Sequence, residues 1–147
     1  MKAEIQSATM IARPVEDVFQ FLLDLDRHPT DPGIAAVVKS PSGPTAPGTT
    51  FRFRHDNGRE TTMRFTAVEP SRRIGFESIV GPLRPVGELA LEGADGRTRL
   101  SVRVTPNPVG AFKLLTPLVH RKGRRVWDAR LARLKTALED VSAPQAA

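Results

Sequence analysis

The order of the predicted elements indicates an α+β fold in which an antiparallel sheet is covered by one long C-terminal helix. One short helical pattern follows the first strand pattern, and alternating strand patterns separated by turn signals fill the middle of the chain. The stretch from Phe112 to Glu139 then carries the single Trp and a dense set of Arg and Lys. A helix with an apolar stripe must bury that stripe against the sheet. We therefore expect a curved sheet closed by the helix, with a cavity for a small hydrophobic molecule between them.

The first part of the chain predicts a strand, a helix and a second strand. Residues 3–11 form the first strand, and the helix over 14–25 begins with Pro14, whose missing N–H costs nothing at the first helical position. The apolar residues that follow Pro14 have helical spacing. Residues 26–33 contain two prolines and end in Pro-Gly, which predicts a loop or a broken short helix, and residues 34–39 form a short strand.

The middle of the chain predicts serial hairpins with one polar face. Phe51, Phe53 and His55 share one face of a strand, because successive side chains of a strand point to opposite sides. Asn57-Gly58 is a strong hairpin signal, since both residues tolerate positive φ in a tight turn. The return strand over 59–69 then presents four residues on one face, namely Thr61, Met63, Phe65 and Ala67. Further turns are signalled at Glu69-Pro70-Ser71, Gly81-Pro82 and Asp95-Gly96.

The last helical region contains two proline signals. Asn107-Pro108 fits a cap followed by a first-turn proline, and Thr116-Pro117 repeats the signal, so we expect a kink or a restart there. Beyond it lies one apolar stripe, which takes in Gly123 and His120 when it is extended backwards. The stripe consists of Trp127, Leu131, Leu134 and Leu138. We expect one domain over 1–141 and a frayed tail over 142–147.

Cysteine usage and hydropathy exclude several classes of protein. The chain of 147 residues has no cysteine, which excludes disulfides, thiol nucleophiles and thiolate metal sites. The N-terminal segment from Met1 to Met10 lacks the apolar core of a signal peptide. No apolar run approaches the ~20 residues of a spanning helix. These observations favour a cytoplasmic protein without a membrane span.

The positive charge is concentrated in the second half of the chain. The net charge is +6, and residues 71–147 hold 14 Lys and Arg against 7 Asp and Glu, whereas residues 1–70 hold 8 against 9. The basic residues of the last region are Lys113, Arg121, Lys122, Arg124, Arg125, Arg130, Arg133 and Lys135. They permit binding to nucleic acid or anionic lipid. A docked helix also needs a charged outer face, and no aromatic residues interleave with the basic ones for base stacking. We therefore expect a solvated face and no nucleic-acid partner.

Several stretches of the chain carry a resemblance to a known superfamily. They are Ile11 to Phe21, Pro47-Gly48-Thr49, Val68 to Ile74, Asp95 to Leu100, and Leu131 to Lys135 with Leu138-Glu139. In these stretches the sequence resembles the START-related superfamily that includes polyketide cyclases and the birch-pollen-allergen fold (SRPBCC). The matching motifs are structural ones: a helix entry, hairpin turns and a helix ending. The resemblance covers nearly the whole chain.

The resemblance implies the helix-grip fold. In that fold a seven-stranded curved antiparallel sheet wraps around the long C-terminal helix, and two short helices between strands 1 and 2 close one end. A hydrophobic cavity lies between the sheet and the helix. Members bind lipids, hormones and polyketides, and some are cyclases or dehydratases. This chain departs from its relatives at 29–33, where they often have a Trp or another bulky residue, so we expect a more open or differently shaped cavity mouth.

The candidate ligand-binding residues are mostly apolar, as small-molecule pockets are. They are Phe51, Phe53, His55, Met63, Phe65, Phe76, Leu89, Leu91, His120 and Trp127. Each apolar member also fits a plain core position. Trp127 is the strongest candidate, because its indole N–H needs a partner when it is buried.

Two histidines are candidates for acid–base chemistry. His55 shares a face with Phe51 and Phe53 and could act as a polar group or a general base at the pocket edge, but we favour a partly exposed residue beside the hairpin turn. His120 shares the stripe of Trp127, where it could bond a ligand, but it also fits a contact at the helix start. Asp26, His28 and Asp31 lie close in sequence, yet no second imidazole is near, so we expect a solvated loop and no metal.

Three functions from different classes remain open at this stage. The first is the binding of a small hydrophobic or amphipathic molecule. The second is a polyketide cyclase or dehydratase that uses His55 or His120 as acid or base. The third is a surface binder of nucleic acid or acidic lipid through the basic helix. We rank them in this order, expect no cofactor, and expect a monomer or a homodimer.

Overall fold

The sequence-predicted architecture is confirmed by the structure. The computed structural model describes residues 4–24, 26, 33–80, 83–108 and 110–145, the side chains of Phe112, Thr116 and residues 141–145 excepted. The elements are β1 (Ile5–Ile11), α1 (Val15–Leu23), β2 (Ile34–Ser40), β3 (Thr50–His55), β4 (Glu60–Glu69), β5 (Arg73–Ser78), β6 (Val86–Ala94), β7 (Arg97–Thr105), a 3₁₀ helix (Gly110–Leu115) and α2 (Thr116–Gln145). The strands form one curved, fully antiparallel sheet in the order β1-β7-β6-β5-β4-β3-β2.

The boundaries of the first elements follow the sequence signals to within two residues. Pro14 caps α1 with an extended backbone, at φ −60° and ψ 151°, and does not occupy the first helical position. The second short helix that the resemblance implies would fall within 24–33, where residues 25 and 27–32 lie outside the described residues. The backbone of α2 continues to Gln145, inside the segment predicted to fray.

The turns confirm most of the glycine signals and correct two details. Asp95 and Gly96 both have positive φ, at 54° and 74°, as a tight two-residue hairpin requires. At the Asn57-Gly58 turn only Gly58 has positive φ, so the loop is wider than predicted. The interpretation of Asn107-Pro108 as a helix start was wrong. Asn107 has a φ of 44°, and Pro108 forms an isolated bridge to Leu83.

α2 runs along the edge strand β1 in the same direction. His120 Nε2 lies 3.0 Å from the carbonyl oxygen of Glu4, and Lys135 Nζ donates to the carbonyl oxygen of Met10 at 2.8 Å. The backbone N–H of Ala12 donates to Glu139 Oε2 at 2.9 Å. Side chains of the helix thus occupy backbone groups along β1, which otherwise present an unpaired sheet edge.

The inner face of the sheet, which faces α2, carries the core. Leu131, Leu134 and Leu138 of α2 are buried, together with apolar residues from all strands except β2. The outer face is charged instead. There Arg73 donates to Glu88 at 2.7 Å and also bonds Glu69, and these two carboxylates raise the pKa of the Arg73 guanidinium above its ordinary value. The alternation of the strands therefore separates an apolar interior from a solvated exterior.

Candidate functional site

Burial of the inner face changes along β3. Phe51, Phe53 and His55 all lie on this face, as their spacing of two residues predicted. Phe51 is fully buried, whereas Phe53 and His55 are only half-buried. The strand therefore passes from a sealed part of the inner face to a part that solvent reaches.

The neighbouring strand shows the same change. On β4, Phe65 is buried, Met63 is half-buried and Thr61 is exposed. The register pairs Met63 with Phe51 and with Ser78, and Thr61 with Phe53, so exposure rises along both β3 and β4 from the level of Phe51 towards the turn that joins these strands. A cross-strand pair on one face brings side chains into direct contact. We call the sealed side, near Phe51, the closed end of the inner face, and the other side, near His55, the open end.

The strand register places the two ends at opposite edges of the whole sheet. At the open end lie His55 of β3, Thr61 of β4 and Ser78 of β5, the last paired with Met63. At the closed end Ile11 of β1 is paired with Thr98 of β7, and both are fully buried. The helix α1 follows Ile11 directly and packs at this end. One end of the inner face is therefore covered by α1, and the described residues of the open end of β3–β5 are left part-exposed.

Trp127 of α2 joins this region through an aromatic contact. Its ring packs on Phe76, with ring centroids 5.7 Å apart and planes tilted by 34°. The guanidinium of Arg130 lies 4.6 Å from the centroid of the Trp127 ring, a cation–π geometry. Phe76 leans over Gly87, where an added Cβ would lie 3.1 Å from Phe76 Cζ. Trp127 is half-buried, so part of its surface stays available beside the sheet.

The polar groups of the open end include one imidazole and two hydroxyls. His55 Nε2 lies 3.2 Å from Thr61 Oγ1, which makes a hydrogen bond across the β3–β4 hairpin. Ser78 Oγ donates weakly to the carbonyl oxygen of Thr62 at 3.4 Å. Thr61 and Ser78 were not among the predicted site residues. In the sequence, Thr61 shares a strand face with Met63, and Ser78 shares one with Phe76. The cross-strand register was needed to show that these two hydroxyl residues lie beside the predicted ligand-binding residues.

His120 lies at another place than His55. Its ring nitrogen bonds the carbonyl oxygen of Glu4 at the start of β1, so the imidazole joins the helix to the sheet edge. Gly123 comes next on that face, where an added Cβ would collide with Ile5 Cδ1. The missing side chain thus lets α2 lie directly on Ile5. The structure does not bring the two histidines together.

The remaining apolar candidates are core residues by burial. Phe51 and Phe65 pack with ring centroids 5.1 Å apart, and both are sealed from solvent. Leu89 and Leu91 of β6 are 9% and 5% exposed. Among the predicted residues, Phe53, His55, Met63 and Trp127 are therefore the half-buried ones that a ligand can reach without displacing the core. With Thr61 and Ser78 we call them the open-end cluster.

The loop of Asp26, His28 and Asp31 falls mostly outside the described residues. Of Asp26, His28 and Asp31, only Asp26 falls within the described residues. Among those residues no group of three or more His, Asp and Glu side chains could hold a metal ion. The bulky-residue departure at 29–33 also lies outside them. In the same described part, no helix is long and apolar enough to cross a bilayer.

Sequence comparison identifies one family over nearly the whole chain. Residues 2–139 match the family described as "Polyketide cyclase / dehydrase and lipid transport". No curated protein sequence matches the chain.

Structure comparison finds the same architecture in several solved structures. The di-domain ARO/CYC BexL from the BE-7585A biosynthetic pathway superposes with a TM-score of 0.80 at 18% identity, over 97% of this chain and 48% of that protein. This chain thus spans about half the length of BexL. Ara h 8.0201 gives a TM-score of 0.73 at 17% identity, over 94% of this chain and 98% of the other. The Zhui aromatase/cyclase from Streptomyces sp. R1128 gives 0.72 at 17% identity, over 95% and 94%.

These three likenesses show a common fold, and the family match covers the same residues that build it. The seven-stranded sheet, the long helix and the short helix α1 are the parts of the helix-grip fold. The chain therefore belongs to the polyketide cyclase / dehydrase and lipid transport family and has the helix-grip fold.

Proposed function

We propose that the protein binds a small hydrophobic or amphipathic molecule at the open end of its inner face, between the sheet and α2. The observation that carries the proposal is the change of burial along β3, from Phe51 at 0% exposure to the half-buried Phe53. Large apolar side chains that stay half-exposed on an inward face are unusual in a closed core, and they commonly line ligand sites. The family description, which includes lipid transport, supports the same class of ligand.

The chemistry of the open-end cluster supports an amphipathic ligand. Phe53, Met63 and Trp127 offer an aromatic and thioether surface that packs against apolar groups. His55 and Thr61 offer a polar contact at the rim, 3.2 Å from each other. A ligand with an apolar body and one carbonyl or hydroxyl group would satisfy both parts. The absence of cysteine supports a reducing compartment, and we propose the cytoplasm as the location.

An enzymatic function of the same site is the second candidate. His55 is the described imidazole at the open end, and its Thr61 partner would fix the ring orientation for proton transfer. Cyclisation or dehydration of a polyketide-like substrate needs a base that reaches an acidic C–H, and His55 fits this role better than His120, whose Nε2 is occupied by Glu4. Relatives titled aromatase/cyclase support this reading. Loss of turnover in His55→Ala with binding retained would support it, and full turnover in that variant would exclude it.

Binding is tested by comparing the probe affinity of variants at two strand positions, one on the inner face and one on the outer face. The probe is the fluorescent naphthalene sulfonate ANS, titrated into the purified protein while the quenching of Trp127 is recorded. We expect Phe53→Ala to weaken probe binding about tenfold or more, because removing the contact of a Phe side chain costs roughly 1.5–3 kcal/mol. Native mass spectrometry of freshly purified protein is the companion measurement, since a discrete bound mass would give the ligand class.

The matched control for Phe53→Ala is Val38→Ala. Val38 is an exposed residue of β2, next in sequence to Val37, which pairs with Phe53 across the strands. The Val38 side chain points to the outer face, so its truncation should leave probe affinity unchanged. Equal affinity of the Phe53→Ala variant and the wild type would contradict the proposed site. A binding loss shared by both variants would indicate a general loss of structure.

A further inference from the structure

Exposed leucines cluster on the 3₁₀ helix and the start of α2. Leu114 is 86% exposed, and Leu115, Leu118 and Val126 are each 45% exposed. These four are half of the eight large hydrophobic side chains that are exposed in the described part of the chain. Ordinary surfaces scatter such residues singly, so a cluster within thirteen consecutive residues indicates a contact surface.

The cluster faces away from the sheet. Leu118 and Trp127 are nine residues apart, which at 100° per residue places them on opposite sides of α2. Trp127 packs inward on Phe76. The outward face therefore carries Leu118, and the helical spacing adds Lys122 and Arg125 to it. We call the surface formed by Leu114, Leu115, Leu118, Arg121, Lys122, Arg125 and Val126 the outward face of α2.

The charge of this surface is of one sign. From Pro106 to Trp127 the sequence has five Lys and Arg residues and no Asp or Glu. Arg121, Lys122 and Arg125 are exposed, and no carboxylate of the described residues pairs with them. Elsewhere on the sheet Arg64, Arg73 and Arg103 each pair with a glutamate. The outward face of α2 thus combines exposed leucines with uncompensated cations.

We propose that the outward face of α2 docks on an anionic phospholipid surface. Leucines enter the boundary between headgroups and acyl chains, while Arg and Lys stems run along the apolar surface and hold their charges at the lipid phosphates. Each basic residue near such a surface strengthens binding about fivefold. A nucleic acid would use the cations but not the exposed leucines, and no described aromatic side chain on this face offers base stacking. The helix lies in the plane of the surface and does not span it.

The start of α2 lies towards the same end of the strands as the open end of the inner face. The start of α2 lies beside Glu4 and the first residue of β1. The register connects Ile5 to Val104, Val104 to Gly87 and Gly87 to Phe76, and β5 continues from Phe76 to Ser78 of the open-end cluster. The inference goes beyond the proposed function, because docking requires no bound ligand.

The experiment measures co-sedimentation of the full chain with large vesicles. One preparation is neutral phosphatidylcholine, and the other contains 30 mol% phosphatidylserine, a fraction of about one third chosen to give a strongly negative surface. We expect binding to the anionic vesicles only, falling at least tenfold as the salt concentration rises to about 0.5 M. Arg121→Gln/Lys122→Gln/Arg125→Gln should weaken binding about a hundredfold, and Leu114→Ser/Leu118→Ser at least tenfold.

The matched control removes the same charge from another surface. Arg52→Gln/Arg54→Gln/Arg99→Gln changes three exposed arginines on the outer face of the sheet. This variant should bind anionic vesicles like the wild type apart from a small effect of net charge. An equal loss in both triple variants would overturn the proposal, because net charge alone would then explain binding.

Three further results would also overturn docking on lipid. One is equal sedimentation of the leucine variant and the wild type. The second is binding of duplex DNA, but of no vesicles, that the basic variant loses and the leucine variant keeps. The third is a dimer in light scattering that Leu118→Ser converts into a monomer, since the face would then be covered by a second copy. Probe binding at Phe53 is measured without vesicles. The ligand-binding proposal and the lipid-docking proposal can therefore fail independently of each other.

Discussion

The two ends of the inner face belong to the same sheet but differ in the burial of their side chains. At the closed end Ile11 is fully buried and α1 packs on β6 and β7, and Phe51 of β3 is also fully buried. At the open end, the same strands continue into Phe53, His55 and Thr61, which are half-buried or exposed. Strand alternation places side chains on the inner face at both ends equally. The element that covers each end of the inner face therefore determines whether the inward side chains there contribute to stability or remain available for binding.

Polar contacts strengthen the closed end further. Thr98 Oγ1 donates to the carbonyl oxygen of Arg13 at 2.8 Å, and Arg13 Nη1 donates to the carbonyl oxygen of Leu138 at 2.8 Å. These bonds tie β7, the start of α1 and the late part of α2 together. At the open end the described polar contacts are the His55–Thr61 bond and the weak bonds of Ser78. We therefore expect the closed end to unfold last.

The largest contrast between the ends should come from two phenylalanines of one strand. Phe51→Ala should lower the free energy of unfolding by about 3–5 kcal/mol, because it opens a cavity in a sealed core. Phe53→Ala should cost only roughly 1–2 kcal/mol, since part of that ring is already exposed. Urea denaturation of both variants measures the difference. Equal losses would mean that the open end is as tightly packed as the closed end.

The glycine of β6 that lies against Phe76 provides the second test. An added Cβ at Gly87 would lie 2.5 Å from the carbonyl oxygen of Arg103, a backbone atom that cannot rotate away, and 3.1 Å from Phe76 Cζ. Gly87→Ala should therefore cost about 1–3 kcal/mol and displace the Phe76 ring. Because Trp127 packs on Phe76, its fluorescence maximum should shift in the folded variant.

The control for Gly87→Ala is Ala90→Ser, a small change three residues along β6. Neither the melting temperature nor the fluorescence of that variant should change appreciably. An unchanged Trp127 spectrum in Gly87→Ala would break the proposed connection between β6, Phe76 and the helix.

The smallest effect concerns the pH dependence of the closed end. The Lys135 ammonium, which lies 2.6 Å from Glu139, and the N–H of Ala12 lower the pKa of the Glu139 carboxyl below its ordinary value. A carboxyl group with a lowered pKa in the folded state stabilises that state above its unfolded pKa, and the contribution is lost as the pH falls through the folded pKa. Glu139→Gln should therefore melt slightly below the wild type at pH 7, with a gap that closes below about pH 4.

Thermal melts of the wild type and Glu139→Gln from pH 7 to pH 3 measure this gap. Glu92→Gln, a change of an exposed carboxylate on β6, is the control and should track the wild type at every pH. A gap that stays constant down to low pH would show that the Glu139 charge is not responsible.

Local patterns predicted the elements of this fold with good accuracy. The alternation in β3 placed Phe51, Phe53 and His55 on one face, and the Asp95-Gly96 pair marked its hairpin. The apolar stripe of α2 correctly predicted three buried leucines. Asn107-Pro108 misled, because a cap followed by proline also occurs where a strand leaves the sheet. There Pro108 pairs with Leu83, a contact between distant residues that no local signal contains.

The sequence predicted most of the side chains that face inward, because the periods of strand and helix are properties of the local backbone. It missed the β-bulge between Phe65 and Ala67, which moves Ala67 off the face of Met63 and Phe65. It could not separate Phe51 from Phe53, because both share one strand face, and it could not show which of His55 and His120 lies beside the half-buried apolar residues. The tertiary structure was needed to show that α1 covers one end of the inner face and that the His120 ring contacts the carbonyl oxygen of Glu4 beside β1. It likewise decided that Leu114 and Leu118 stay uncovered, because burial depends on which distant elements pack together.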